Sequence, residues 1–88
     1  MRYNIEIVKR AQRQLLKLPV QTQERIAESI GLLGGNPDNP MLDIKQLTND
    51  PVARYRLRIG NYRVKFNRQD AIRIIEIVRI GHRKDIYK

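Results

Sequence analysis

Eighty-eight residues carrying 18 Lys or Arg, nine Asp or Glu and a formal net charge of +9 make one small basic domain, residues 1–88, near the lower size at which a chain folds without staples. There is no cysteine, hence no disulfide or thiolate metal site, and the lone His82 cannot hold zinc unaided. No run approaches eighteen apolar residues and no signal-peptide pattern opens the chain, which predicts a soluble cytoplasmic protein with no membrane association and no cofactor.

Tyr3, Ile5 and Ile7 alternate with Arg2, Asn4 and Glu6, the period of an opening strand. At Lys9 the period changes. Ala11, Leu15 and Leu18 fall at i, i+4, i+7, the stripe of a short helix that ends before Pro19. Pro19 suits the first turn of a second helix, along which Ile26, Ile30 and Leu33 repeat the spacing, and Gly34-Gly35-Asn36-Pro37 stops it. Residues 34–51 are punctuated by Gly34, Gly35, Pro37, Pro40 and Pro51, which predicts a long connection with one turn or a short strand near Ile44–Leu47.

Then comes the most ordered pattern of the chain, Arg54 to Phe66. Two alternating runs flank Gly60-Asn61, a two-residue turn of the kind that needs a positive φ. Pairing Ile59 with Tyr62 puts Tyr55, Leu57, Ile59, Tyr62, Val64 and Phe66 on one face. The other face then sets Arg58 against Arg63 and Arg56 against Lys65. Like charges directly opposed cost roughly 0.2–1 kcal/mol per pair, a cost that a docking polyanion would explain. A turn at Asn67–Asp70 leads to Ile72–Ile80, apolar on both faces like a central strand, and Gly81 ends it. The whole reads as an α+β, two-layer β-α-α-β-β-β domain, a helical hairpin packed on one face of a mainly antiparallel sheet. The cationic face of the hairpin is expected on the open side of that sheet.

The charge is lopsided. Residues 1–53 hold seven basic and six acidic side chains, a net of +1, whereas residues 54–88 hold eleven basic and three acidic, a net of +8. Eight of those eleven are arginine, whose planar fork matches phosphate. Arg56, Arg58, Arg63 and Lys65, joined by Arg83, can therefore bind a phosphate chain. Cutting RNA further requires a base for the 2′-hydroxyl and an acid for the leaving oxygen, and arginine serves poorly as either. His82, Tyr87 and Lys65 are the remaining candidates. Flanking cations favour the neutral imidazole that a base requires. Equally, His82 suits a hydrogen bond to backbone at the strand end, and Tyr87 suits an aromatic anchor or a platform for a stacked base.

Tyr55-Arg56-Leu57-Arg58-Ile59-Gly60-Asn61-Tyr62-Arg63-Val64, followed by Ile80-Gly81-His82-Arg83-Lys84-Asp85-Ile86-Tyr87, resembles the RelE/ParE toxin superfamily, and within it the RelE branch. The opening strand and both helices fit as well. The resemblance implies a toxin of a type II toxin–antitoxin pair, a ribosome-dependent endoribonuclease. It would cleave mRNA in the ribosomal A site by attack of the 2′-hydroxyl on the adjacent phosphate and be neutralised by an antitoxin with an acidic segment. It assigns Arg56 and Arg58 to the basic strand pair, Arg63 to the strand arginine after Gly-x-Tyr, and Arg83 and Tyr87 to the C-terminal pair. Where the best-known branch has strand lysines, this chain has Arg56 and Arg58, so the base duty passes to His82 or Tyr87, or cleavage is slow. A ParE-like inhibitor of DNA gyrase and an RNA-binding module without strong catalysis are the competing readings.

Overall fold

The computed structural model describes residues 2–86, so the candidate Tyr87 lies outside the described residues. In chain order the elements are β1 (Asn4–Ile7), α1 (Lys9–Leu16), α2 (Val20–Gly35), β2 (Asp43–Gln46), β3 (Tyr55–Ile59), β4 (Tyr62–Gln69) and β5 (Ile74–His82). They form a five-stranded sheet of order β1-β5-β4-β3-β2. All pairings are antiparallel except that of β1 with β5. The α+β architecture expected from the residue pattern is the one observed, and the short strand anticipated near Ile44–Leu47 exists as β2, an edge strand on β3.

The helices form as their periodicity requires. Ala11 of α1 and Ile26, Ile30 and Leu33 of α2 are buried together with Leu57, Ile59, Val64, Phe66, Ile75, Ile77 and Ile80 of the sheet. Full burial of each large aliphatic side chain is worth about 1.5–3 kcal/mol, so this one apolar layer is what fixes the helices to the sheet. Pro19 is the residue before the helix rather than inside its first turn, and α2 begins at Val20. The corner between the helices is closed by Gln23, whose side-chain amide donates to the carbonyls of Leu18 (2.8 Å) and Leu16 (3.2 Å). Those carbonyls lie at the end of α1, where no further turn supplies a partner.

The hairpin register is the expected one: Ile59 pairs with Tyr62, Arg58 with Arg63 and Arg56 with Lys65. Gly60 has φ +58° and Asn61 has no positive φ, the pattern of a turn with glycine first. Tyr55 stacks on Phe66 at 5.4 Å between ring centroids, on the helix side.

Beyond the hairpin the boundaries shift. β4 continues through the positions expected to turn, ending at Gln69, and the reversal falls later, with Arg73 at φ +53°. Arg68 holds this end of the molecule together, ion-paired to Asp70 at 2.7 Å and to Asp38 at 2.9 Å. Gly81 does not end the last strand, because its partner Arg63 and the pair Tyr62–His82 extend the ladder. β5 is an interior strand, as its apolar run predicts, flanked by β1 and β4. One irregularity interrupts the β4–β5 ladder. Lys65 pairs with Arg79 but Phe66 pairs with Ile77, so Val78 is an extra, bulged residue.

Candidate nucleic-acid interface

Antiparallel pairing arranges the side chains of the sheet's outer face into rows that cross the strands. The row nearest the hairpin turn is Asp43, Arg58, Arg63 and Gly81. The next is Lys45, Arg56, Lys65 and Arg79, four cations on four neighbouring strands, which lie about 4.8 Å apart. The residue pattern pointed to Arg56 and Lys65 but not to the two that complete the row. Lys45 is placed by the edge strand and Arg79 by the bulge, neither of which the hairpin pattern reveals.

This face is neither wholly cationic nor wholly open. Asp43 pairs with Arg56 at 3.2 Å, and Asp50 pairs with Lys65 at 2.7 Å. Lys65 is only 5% exposed, because the segment 47–53 folds across the sheet above it. That segment is held by Asn67, which donates to the Val52 carbonyl at 3.0 Å and accepts from the Arg54 N–H at 2.8 Å. Burial works against ionisation of Asp50. The Lys65 ammonium and the Val52 and Ala53 N–H groups outweigh it and hold the carboxyl below its ordinary pKa. Lys65 thus sits in the row but is engaged by a carboxylate.

The row at the turn is different. Arg58 Nε donates to the Gly60 carbonyl at 3.4 Å, and Arg63 donates to the carbonyls of Gly60 (3.0 Å) and Tyr62 (3.1 Å). Among the described residues Arg58 makes no ion pair. Arg25, from α2, also reaches this tip: a Cβ at Gly60 would lie 3.2 Å from its Nη2. It too escaped the residue pattern, since a lone arginine on a polar helix face carries no signal. The Arg83 N–H donates to the Asn61 carbonyl at 2.8 Å and so continues the ladder by one position. Past His82 the chain turns, so for Arg83 it is the backbone that is tied to the hairpin tip. Arg58 and Arg63 are therefore gathered at the hairpin turn, two guanidinium forks suited to one phosphate, with the Arg83 backbone beside them.

His82 is set apart from them. It pairs with Tyr62, meets that ring edge-on at 5.5 Å between centroids, and lines a cavity of about 450 Å³ with Gln14, Lys17 and Leu18 of the α1 end. It thus faces the helix side of the sheet, opposite the arginines. Its Nδ1 accepts the Lys84 N–H at 3.1 Å, and its carbonyl accepts the N–H groups of Asp85 and Ile86. The backbone role weighed for it from the residues is present in the geometry. Tyr87 lies beyond the described residues, and the bonds of His82 shape the turn that leads to it. No group of His, Cys, Asp and Glu suited to a metal ion occurs among the described residues, and no helix there is long and apolar enough to cross a membrane.

Comparison with known proteins agrees with this architecture. The family model described as ParE toxin of the type II toxin–antitoxin system, parDE, matches residues 5–87. A curated relative named "Putative toxin RelE1", from Methanocaldococcus jannaschii, is 37% identical over 89 residues, covering 100% of this chain and 98% of its own. A chain of the archaeal RelE–RelB complex from Pyrococcus horikoshii superposes with a TM-score of 0.79 at 26% identity, over 97% of this chain and 99% of that one. A chain of the toxin–antitoxin complex RelBE2 from Mycobacterium tuberculosis gives 0.80 at 25% identity, over 93% and 99%. With the hairpin, the ordered arginines and the sheet order all in place, the chain belongs to the RelE/ParE superfamily of type II toxin–antitoxin toxins.

Proposed function

We propose that the chain is an endoribonuclease of the RelE kind that cuts mRNA on the ribosome, in the cytoplasm, by attack of a 2′-hydroxyl on the adjacent phosphate. The observation that carries this reading is the gathering of Arg58 and Arg63 at the hairpin turn, to whose Asn61 carbonyl the Arg83 backbone is tied. Charge accumulates on the non-bridging oxygens as the 2′-oxygen adds to phosphorus, and preorganised guanidinium groups stabilise it there more than in the ground state. Arg56 steadies the chain in the neighbouring row, and Lys65, tied to Asp50, gives that row its fixed geometry. The proton steps fall to Tyr87. His82 acts as a positioning residue, since its ring nitrogen and carbonyl set the turn that carries Tyr87. The partner is a cognate antitoxin with an acidic segment that covers the arginine rows, as the relatives solved as RelE–RelB and RelBE2 complexes suggest.

The test is to map mRNA 5′ ends after induction, in a translating extract and in cells. Wild type is expected to cut within codons. Arg63→Gln and Tyr87→Phe should lose cutting by about 10²-fold or more, the scale of one lost transition-state donor. His82→Asn keeps an acceptor near the Lys84 N–H and is expected to retain most of the activity. Abolition of cutting in that variant alone would return the base role to His82. The ParE description of the matched family supports a second reading, inhibition of DNA gyrase. It predicts DNA damage with mRNA intact.

A further inference from the structure

A cleft of about 420 Å³ opens on the outer face beside the second row of cations, lined by Arg10, residues 47–52, Lys65, Arg79 and Ile86. Its size is within the roughly 300–1,000 Å³ of ordinary small-ligand sites. Arg10 comes from the first turn of α1 and Arg79 from β5, so the two cations reach the cleft from different elements. Two features mark it as more than a gap. The bulge at Val78 falls directly before Arg79 and sets the register that pairs Arg79 with Lys65, as bulges do where a side chain must be re-aimed. Arg79 then donates one N–H to the Val78 carbonyl at 2.7 Å, which anchors the guanidinium with donors to spare. The acid in the cleft, Asp50, is spent on Lys65 and two backbone N–H groups, so it opposes an anion only weakly.

We propose that this cleft seats the nucleotide next to the cleaved linkage, with Arg10 and Arg79 on its phosphate and Pro51, Val52 and Ile86 against its base. The assignment rests on the ribonuclease reading above and adds to it the path of the RNA strand. Arg79 lies two residues along β5 from Gly81, the partner of Arg63. That offset is about 6.6 Å, comparable with the reach from one phosphate to the next in an extended single strand. The strand would then run from the turn across β4 and β5 toward α1, not out over the edge strand β2.

The test measures binding of two uncleavable RNAs, a dinucleotide with one linkage and a hexanucleotide, both carrying 2′-methoxy groups, as salt is raised. Arg10→Gln with Arg79→Gln is expected to weaken the hexanucleotide about tenfold or more and to lower its salt slope by about 0.7, the contribution of one phosphate on a single strand. Dinucleotide affinity should stay within about twofold, because its single phosphate sits at the turn. Arg10→Gln alone, on an exposed helix position, should give about half the change in slope. Equal losses on both RNAs, or an unchanged slope, would overturn the cleft assignment while leaving the catalytic reading intact. So would a double variant that binds RNA normally but loses an acidic antitoxin peptide, which would make the cleft a protein contact. If Arg63→Gln leaves both affinities unchanged while the double variant behaves as expected, the turn site falls and the cleft stands.

Discussion

Arg63 and Lys65 stand two residues apart on one face of β4, yet the fold treats them differently. Arg63 lies against carbonyls at the turn, whereas Lys65 is covered by the 47–53 segment and held by Asp50 at 2.7 Å. The carboxylate therefore serves two purposes, relieving repulsion between Lys65 and Arg56 and pinning the segment through the Val52 and Ala53 N–H groups. Asp50→Asn takes the carboxylate at 2.7 Å away from a covered ammonium, and weakening the bonding of a buried polar group costs about 1–3 kcal/mol. Urea unfolding of that variant should show a loss of this size. If stability is unchanged, the pair is a surface contact of no consequence. Lys65→Met with Asp50→Asn should recover much of the loss, since no charge is then left covered at this place.

Among the elements, α2 gives the sharpest contrast. Its glycines at 31 and 34 are three residues apart and face different surroundings. A Cβ on Gly34 would meet Ile5 Cγ1 at 3.0 Å and the Tyr3 carbonyl at 3.3 Å, whereas a Cβ on Gly31 meets nothing within 4 Å. Gly34 permits the close approach of α2 to β1 that the hydrogen bond from the Tyr3 N–H to its carbonyl (2.6 Å) requires. Gly31→Ala is expected to raise stability by about 0.5–1 kcal/mol through helix propensity, and Gly34→Ala to lower it by about 1–2 kcal/mol through overpacking. Thermal melts of the two variants should move in opposite directions. The residue pattern makes only part of such detail visible. Hairpin register, helix stripes and the sheet's helix-side face are legible because period and turn chemistry specify them locally. The late reversal at Arg73, the strand through Gly81 and the Val78 bulge are not, because pairing between distant strands decides them. For the same reason the pairing of Arg58 with Arg63 is readable, while Arg10, Lys45 and Arg79 join the outer face only once β2, β5 and α1 are placed. Sequence adjacency to Arg83 sets His82 beside the arginines. Alternation along β5 sends it to the other face.

At the scale of the whole molecule, charge governs stability. Asp38, Asp50 and Asp70 all lie below their ordinary pKa: Asp38 and Asp70 chiefly through hydrogen bonds from Arg68, and Asp50 through Lys65 and backbone N–H groups against the opposing effect of burial. A carboxyl whose folded pKa is depressed contributes stability above its unfolded value, near 3.9, and loses that contribution as pH falls through the folded value. The melting temperature should therefore be nearly level from pH 7 to 5 and fall steeply below about pH 4, where uncompensated cations add self-repulsion. A melting temperature that stays level down to pH 2.5 would show that these ion pairs contribute nothing. The parallel pairing of β1 with β5 has a consequence for the order of events in synthesis. Asn4 finds its partner at Ile74, so nearly the whole chain must be made before the first strand acquires its neighbour. Closing so long a loop is entropically slow and is rewarded only at the end. The arginine rows, which need β2 through β5, share that delay. A nascent copy still threaded through its ribosome thus has no assembled arginine rows, which form only after its own translation has passed β5.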